Sequence, residues 1–250
     1  MSFCSNCFQG VTHDGTPEGK IDKLGGVECY IATPTVDYPK DKVVLFLTDV
    51  FGLALKNNLL MADDFARNGF KTIVPDLFNG DPRAPLFGPD APPVDREKWR
   101  AAHGPAQTRP PIDSVITALN TEGVTSIAAT GYCFGARYVV DLAFDGLISV
   151  AALSHPSMLV VPADLEKYAA VSTAPLLLNT CPVDPVFPLE AQAQADAILG
   201  GGKFTPWYKR EHFEGCQHGF AVRGDMSDPM VKAGKEGAFK ASVEWFMKHL

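Results

Sequence analysis

Short apolar runs alternate with amphipathic segments along most of this chain. Runs such as residues 43–47 (VVLFL) contain no polar residue, which is typical of strands buried on both faces of a parallel sheet. Alternation of such strands with helices predicts the α/β fold class, with a mostly parallel central sheet and helices on both faces. The predicted strands are 27–31, 43–47, 71–74, 126–130, 149–153, 176–179 and 204–209, and the predicted helices are 55–68, 112–122, 136–144, 189–199 and 231–249.

We expect one domain over residues 1–250, since this length suits a single large α/β core. Residues 1–25 are predicted to form an irregular N-terminal lead-in. Residues 79–111 interrupt the alternation with many prolines, which predicts a long Pro-rich excursion over the carboxyl ends of the strands. This excursion forms either a lid or pocket wall, or a simple surface loop.

The charge and composition of the chain argue against two classes of partner. The chain has 22 Lys and Arg against 29 Asp and Glu, a net charge of -7, without basic runs, so we expect neither nucleic acid nor a membrane as a partner. Apolar runs of about eight residues fall short of the roughly 20 that span a bilayer. Six cysteines are too few for a disulfide scaffold, which favours reduced thiols and a cytoplasmic location. Monomer and homodimer both remain open.

The strongest local motif is the segment Gly131-Tyr132-Cys133-Phe134-Gly135, between a predicted strand and a predicted helix. Such a strand–turn–helix is typical of a nucleophile elbow, in which a tight turn needs glycine two residues before and after the nucleophile. Cys133 therefore stands where a catalytic nucleophile is expected. The N-terminus of the following helix favours the thiolate form of a cysteine at this place.

A thiol nucleophile needs a base and a carboxylate that orients the base. In chain order, Asp184 follows the strand that contains LLLN, and His218 follows the strand that contains FTPWYK. Carboxyl ends of parallel strands lie at one edge of the sheet, so Cys133, Asp184 and His218 are predicted to meet there.

Acyl transfer also needs donors directed at the oxyanion. In an elbow these are the amide of the residue after the nucleophile, here Phe134, and one amide after an earlier strand, for which Val50 is the best candidate. His155 follows a central strand and is either a pocket residue or a structural histidine.

These motifs resemble those of the dienelactone hydrolase family, a cysteine-nucleophile branch of the α/β-hydrolases, and in particular its fungal-type members. The matching segments are HDGTPEGK near the start, TDVFG at 48–52, VPDLFNG at 74–80, GYCFGAR at 131–137, the Asp184 loop and HGFAVRGD at 218–225. The resemblance implies the α/β-hydrolase fold, a Cys133–Asp184–His218 triad, and hydrolysis of a small-molecule ester or lactone through a thioester.

The same resemblance implies substrate-binding residues. Bacterial members have a glutamate in the first loop that contacts the resting cysteine, and Asp49, one methylene shorter, stands in that loop here. They bind a substrate carboxylate with two arginines, for which Arg83 and Arg223 are the nearest candidates, each offset from the family position. The chemistry requires no metal and no organic cofactor.

Two other functions remain open. A thiol redox or sensor protein would oxidise Cys133 and resolve it with Cys181 or Cys216, and a binding protein could keep the fold without activity. Cys4 and Cys7 have the spacing of half a zinc site, but no second pair of ligands matches it.

Overall fold

The computed structural model describes residues 13–83 and 95–250. Eight strands form one sheet in the order β1-β2-β4-β3-β5-β6-β7-β8. Their bounds are Lys20–Leu24 (β1), Val27–Ala32 (β2), Lys42–Leu47 (β3), Thr72–Pro75 (β4), Ser126–Tyr132 (β5), Val150–Ser154 (β6), Leu176–Thr180 (β7) and Tyr208–His212 (β8). Strands β4 to β8 and β3 are mutually parallel, whereas β1 and β2 are antiparallel to their neighbours.

Helices cover both faces of this sheet. Their bounds are Lys56–Arg67 (α1), Arg96–Ala102 (α2), Pro105–Thr121 (α3), Phe134–Phe144 (α4), Ala163–Val171 (α5), Leu189–Leu199 (α6), Phe220–Arg223 (α7) and Pro229–His249 (α8). Phe65 of α1 packs against Phe239 and Phe246 of α8, while α4 packs on α5 and α5 on α6. Because β6 and β7 are buried throughout, neither has a polar face. The predicted α/β class with a mostly parallel sheet is confirmed.

The N-terminal lead-in is shorter than predicted. Lys20–Leu24 is strand β1, which pairs with β2 across a turn at Gly25 and Gly26. Four of its five residues are exposed, so it lacks the apolar pattern on which the prediction relied. Both glycines have positive φ angles, which suit a tight hairpin turn.

The excursion at 79–111 is also more regular than predicted. Residues 84–94 lie outside the described residues, but α2 and the first turns of α3 fall within the segment. Pro105 occupies the first turn of α3, where the missing N–H costs nothing. Pro111 leaves the carbonyl of Gln107 without its helical donor, and the Asn79 side-chain amide donates to that carbonyl at 3.4 Å.

The last strand lies further along the chain than 204–209. Phe204–Trp207 forms a turn in which the Trp207 amide donates to the Phe204 carbonyl and Trp207 has a φ of 99°. Strand β8 therefore begins at Tyr208, which pairs with Leu176. Helices α5 and α7 were not predicted, since both are short and lack a long apolar period.

The two outermost strands are rich in charge. Strand β1 reads KIDKL and β8 reads YKREH, and most of their residues are exposed or half-buried. Of the helices that the structure describes, none has both the length and the hydropathy needed to cross a bilayer.

Close backbone approach defines the turn between β5 and α4. A Cβ atom on Gly131 would lie 2.7 Å from Cα of Ala136, and one on Gly135 would lie 2.2 Å from the carbonyl oxygen of Leu47. Cys133 between them has a φ of 49° and a ψ of -108°, a strained backbone for a residue with a side chain. Glycine at both flanking positions is therefore a steric requirement of this turn.

We predict that Gly135→Ala lowers the free energy of unfolding by about 2 kcal/mol or more, because the added methyl group collides with backbone that cannot move alone. Urea unfolding followed by circular dichroism measures this loss. Gly104→Ala is the control, since its Cβ meets only the flexible Gln107 side chain at 3.4 Å, and we expect a loss below about 1 kcal/mol. Equal losses in the two variants would contradict the steric explanation.

Candidate active site

The carboxyl ends of the parallel strands bring the predicted residues together. Cys133 follows β5, Asp184 lies in the loop after β7, and His218 lies in the loop after β8. All three side chains are buried. Strand β3 has β4 on one side and β5 on the other, so the direction in which strands are added reverses at β3. Open α/β sheets bind ligands at such a topological switch point, and the site lies there.

His218 lies between the other two side chains. Its Nδ1 atom is 3.0 Å from Oδ2 of Asp184, and its Nε2 atom is 3.2 Å from Sγ of Cys133. The loops that bear these residues are tied together, since the His218 amide donates to the Val183 carbonyl at 2.9 Å. The other carboxylate oxygen of Asp184 accepts from the amides of Val186 and Phe187, which fixes its orientation.

Charge around His218 favours its protonated form. Burial alone lowers the pKa of the imidazole, but negative charge on Cys133 and the hydrogen bond that Nδ1 donates to Asp184 outweigh this and raise the pKa to about 10. Negative charge on Cys133 and a proton on His218 therefore stabilise each other.

The first loop contains the other predicted oxyanion donor, Val50. This loop follows β3 and is joined to the turn between β5 and α4, because the Gly135 amide donates to the Thr48 carbonyl at 3.0 Å. The Val50 carbonyl accepts from the amide of Arg83 at 2.8 Å. The backbone of Arg83 thus contacts the loop after β3, and the Arg83 side chain is half-buried.

Asp49 and Arg223 form a buried ion pair. Nη1 of Arg223 lies 2.9 Å from Oδ2 of Asp49, and neither side chain is exposed. The second oxygen of Asp49 accepts from the Phe51 amide and the Asn58 side chain, both at 3.2 Å. Burial raises the pKa of Asp49, Arg223 opposes this shift, and negative charge on Cys133 adds to it. Asp49 therefore helps to hold the loop after β3 in place and is electrostatically coupled to the sulfur of Cys133.

His155 packs against His218. Its ring centroid lies 5.0 Å from that of His218 in an edge-on arrangement, and Phe220 contacts it at 5.7 Å. Burial, aided by the positive charges of His218 and Arg223, holds its pKa well below the ordinary value. His155 is therefore a neutral ring beside His218, and it is not among the residues that line the cleft described below.

Ser157 is a site residue that the sequence analysis did not single out. Its hydroxyl lies 3.2 Å from Sγ of Cys133, and its amide donates to the Cys133 carbonyl at 3.1 Å. It stands just past the carboxyl end of β6, next to β5 in the sheet. Its position just after a predicted central strand was the one signal in the sequence that could have identified Ser157, because serines in loops are common.

A cleft of about 570 Å³ includes Ser157 and Phe134, two neighbours of Cys133, in its lining. Its walls come from the start of α4, the loop after β6, the loop after β7 and the junction of α2 with α3. The lining includes Phe134, Tyr138, Ser157, Met158, Leu159, Pro185 and Val186, with His103, Gly104, Pro105, Arg100, Arg137 and Asp141.

No cluster of three or more His, Cys, Asp or Glu side chains within residues 13–83 and 95–250 is arranged to hold a metal ion. Cys4 and Cys7 lie outside these described residues.

Comparison with known proteins identifies the family of this chain. The family model for the dienelactone hydrolase family matches residues 27–250. The chain belongs to the dienelactone hydrolase family. It is 33% identical to Hydrolase pyvD of Aspergillus violaceofuscus over 98% of this chain and 96% of that protein. It is 31% identical to Dienlactone hydrolase 1 of Gibberella moniliformis, covering 96% of this chain and 91% of the relative.

Solved structures agree on the fold. A dienelactone hydrolase-like promiscuous phosphotriesterase from metagenomic libraries superposes with a TM-score of 0.64 at 17% identity, over 92% of this chain and 96% of the other. The predicted α/β-hydrolase fold is thereby confirmed, and family membership makes this protein a hydrolase.

We predict that Arg223→Leu lowers the free energy of unfolding by about 3 kcal/mol, because it leaves Asp49 buried without its cation. The folded-state pKa of Asp49, already raised, rises further without the guanidinium. An acid with a raised folded pKa binds more protons in the folded state, so the loss is larger at pH 8 than at pH 5. Chemical unfolding at both pH values measures it.

Arg67→Leu is the matched control. Arg67 pairs with Glu18 and Asp64 on the surface, and its side chain is 49% exposed. Exposed pairs contribute little, so we expect a change within about 0.5 kcal/mol at either pH. A loss in Arg223→Leu that did not vary with pH would contradict the assignment to Asp49.

Proposed function

We propose that this protein hydrolyses carboxylic esters or lactones by covalent catalysis with Cys133, His218 and Asp184. The observation that carries the proposal is the position of His218, whose two ring nitrogens lie 3.2 Å from the Cys133 sulfur and 3.0 Å from the Asp184 carboxylate. A base in line between a nucleophile and an orienting acid is the arrangement that acyl transfer needs.

Acylation begins with transfer of the thiol proton from Cys133 to Nε2 of His218. The thiolate attacks the carbonyl carbon, a C–S bond forms, and the carbonyl oxygen becomes an oxyanion that the amides of Phe134 and Val50 stabilise. When the intermediate collapses, the C–O bond to the leaving group breaks. His218 gives its proton to the departing oxygen, which leaves a thioester on Cys133.

Deacylation repeats the sequence with water. His218 removes a proton from the water, and the hydroxide adds to the thioester carbon. The C–S bond then breaks to release the acid, and the proton on His218 returns to the Cys133 sulfur. Asp184 keeps Nδ1 of His218 protonated and stabilises the positive charge on the ring, which agrees with the raised pKa of His218. Every step uses groups of the chain and water.

Ser157 supports this mechanism as a second hydrogen-bond partner of the sulfur. A thiolate can only accept hydrogen bonds, so the Ser157 hydroxyl, 3.2 Å away, donates to it. Hydrogen bonds to the charged form favour that form and therefore favour the nucleophile. Ser157 is thus proposed as a residue that positions and stabilises the thiolate.

The substrate class follows from the family and its named relatives. One relative is called a dienlactone hydrolase, and a mouse relative, 28% identical, is called a carboxymethylenebutenolidase homolog. These names denote lactone-opening enzymes, which supports an ester or lactone substrate here. The roles of Arg83 and Arg223 in binding a substrate carboxylate stay predictions. The contact of Asp49 with the resting Cys133 and the place of His155 in the pocket also stay predictions.

The redox alternative is less well supported. Cys181 and Cys216 are buried free thiols, and burial raises the pKa of each, to about 11 for Cys216. A resolving cysteine acts as a thiolate, so raised pKa values make both poor partners for an oxidised Cys133. Hydrolysis uses neither residue.

We predict that Cys133→Ala and His218→Ala each reduce kcat/KM for 4-nitrophenyl acetate by at least about 10³-fold, because each removes a group that acts in the transition state. Release of nitrophenolate measures the rate. Iodoacetamide should also alkylate Cys133 with the matching mass shift and abolish activity.

The double variant Cys181→Ser/Cys216→Ser is the control for the redox alternative. It should keep its activity per folded molecule in the presence of a reductant, because hydrolysis needs neither thiol. Loss of activity in this folded double variant, or full activity in Cys133→Ala, would overturn the proposed mechanism.

We predict that Ser157→Ala raises the pH of half-maximal iodoacetamide reaction at Cys133 by about one unit, since the thiolate loses a charge-assisted hydrogen bond. Ser157→Thr keeps a hydroxyl and should restore the wild-type profile. An unchanged profile in Ser157→Ala would show that the 3.2 Å contact does not stabilise the thiolate.

A further inference from the structure

We propose that the cleft beside Cys133 binds an uncharged aromatic or aliphatic group of the substrate ester. This inference rests on the proposed function, since it assigns the substrate class of the same site. It differs from the carboxylate-bearing lactone that the family resemblance implies.

Position connects the cleft to the reaction. Ser157, which contacts the sulfur of Cys133, lines the cleft together with Phe134, the residue after Cys133. Pro185 and Val186, which directly follow Asp184, form another wall. A substrate whose carbonyl carbon lies at Cys133 therefore extends a substituent into this cleft.

Chemistry of the walls favours apolar groups. Phe134, Met158 and Leu159 present carbon atoms, and the polar atoms beside them already have partners. The hydroxyl of Tyr138 is hydrogen-bonded to Thr108, and Nδ1 of the His103 ring lies 2.7 Å from the Trp99 carbonyl. What these aromatic side chains offer a ligand is mainly their ring faces.

An aromatic layer supports these walls from behind. Phe78 packs against Phe134 at 5.2 Å and against Trp99 at 5.3 Å, and Trp99 stacks on His103 at 4.3 Å. Phe134 also contacts Tyr138 at 5.5 Å. Packed rings fix the shape of the wall, which suits a flat aromatic group that stacks on it.

Charge in the cleft is balanced. Arg137 is paired with Asp141 and with Asp164, so its guanidinium is already satisfied by two carboxylates. Arg100 supplies the other positive charge of the lining, and Asp164, which pairs with Arg137 from outside the lining, makes these four groups neutral as a set. Arg223 is fully buried on Asp49 and does not line the cleft.

A carboxylate that entered this cleft would lose water and would compete with Asp141 and Asp164 for Arg137, which is costly. An uncharged ring gains by leaving water. The volume of about 570 Å³ lies within the range of small-molecule sites and accommodates a bicyclic group.

Protection of Cys133 tests the assignment directly. We would measure how 2-naphthamide and 2-naphthoate, which match in size and differ in charge, slow the reaction of iodoacetamide with Cys133. The neutral amide should give half protection at a concentration at least about tenfold lower than the anion. Equal or better protection by 2-naphthoate would overturn the proposal.

Matched charge variants locate the binding. Met158→Asp places a carboxylate in the cleft at a backbone φ of 63° that aspartate tolerates, and it should raise the half-protection concentration of 2-naphthamide by about tenfold. Val171→Asp adds the same charge at an exposed position on α5 and should leave that concentration unchanged. Equal effects of the two variants would contradict binding in the cleft.

Two further measurements separate this inference from the proposed function. Full hydrolysis of 4-nitrophenyl acetate by Cys133→Ala would overturn the proposed function itself. Cys133-dependent hydrolysis together with protection by 2-naphthoate, lost in Arg100→Gln, would keep the mechanism and identify the cleft as an anion site instead.

Discussion

The close approach of α4 to β3 is the constraint on which the site depends. A helix whose second residue is Gly135 can lie against the backbone of Leu47 and Thr48, and any side chain at that place would occupy the space of a carbonyl group. The Gly135 amide then bonds to Thr48. This single contact fixes the turn at Cys133 relative to the loop of Val50, so Cys133 and the amides of Phe134 and Val50 belong to one unit.

Much of the fold could be predicted because its information is local. Uninterrupted apolar runs identify the buried strands, and the paired glycines around Cys133 identify the tight turn. The convergence of Cys133, Asp184 and His218 followed from a topological rule, since the loops after parallel strands share one edge of the sheet. The elements that escaped prediction are those without an apolar period: the exposed hairpin strand β1, the displaced strand β8, and the short helices α2, α5 and α7.

Other site features could not be predicted because they depend on contacts between distant segments. Asp49 and Arg223 are separated by most of the chain, and only folding shows that each neutralises the other in the interior. Ser157 owes its contact with the sulfur to a turn whose backbone includes positive φ angles at His155 and Met158. Such conformations are uncommon for residues with side chains, and no sequence pattern predicts them here.

The charged outer strands have a consequence for assembly. An uncapped sheet edge offers unpaired amides and carbonyls to any extended chain, and lysine or arginine along the edge discourages such pairing. Strands β1 and β8 carry Lys20, Lys23, Lys209 and Arg210 among their few residues. Pairing of two copies edge to edge would take these charged side chains out of water, so self-association by sheet extension and its fibrillar continuation are both disfavoured.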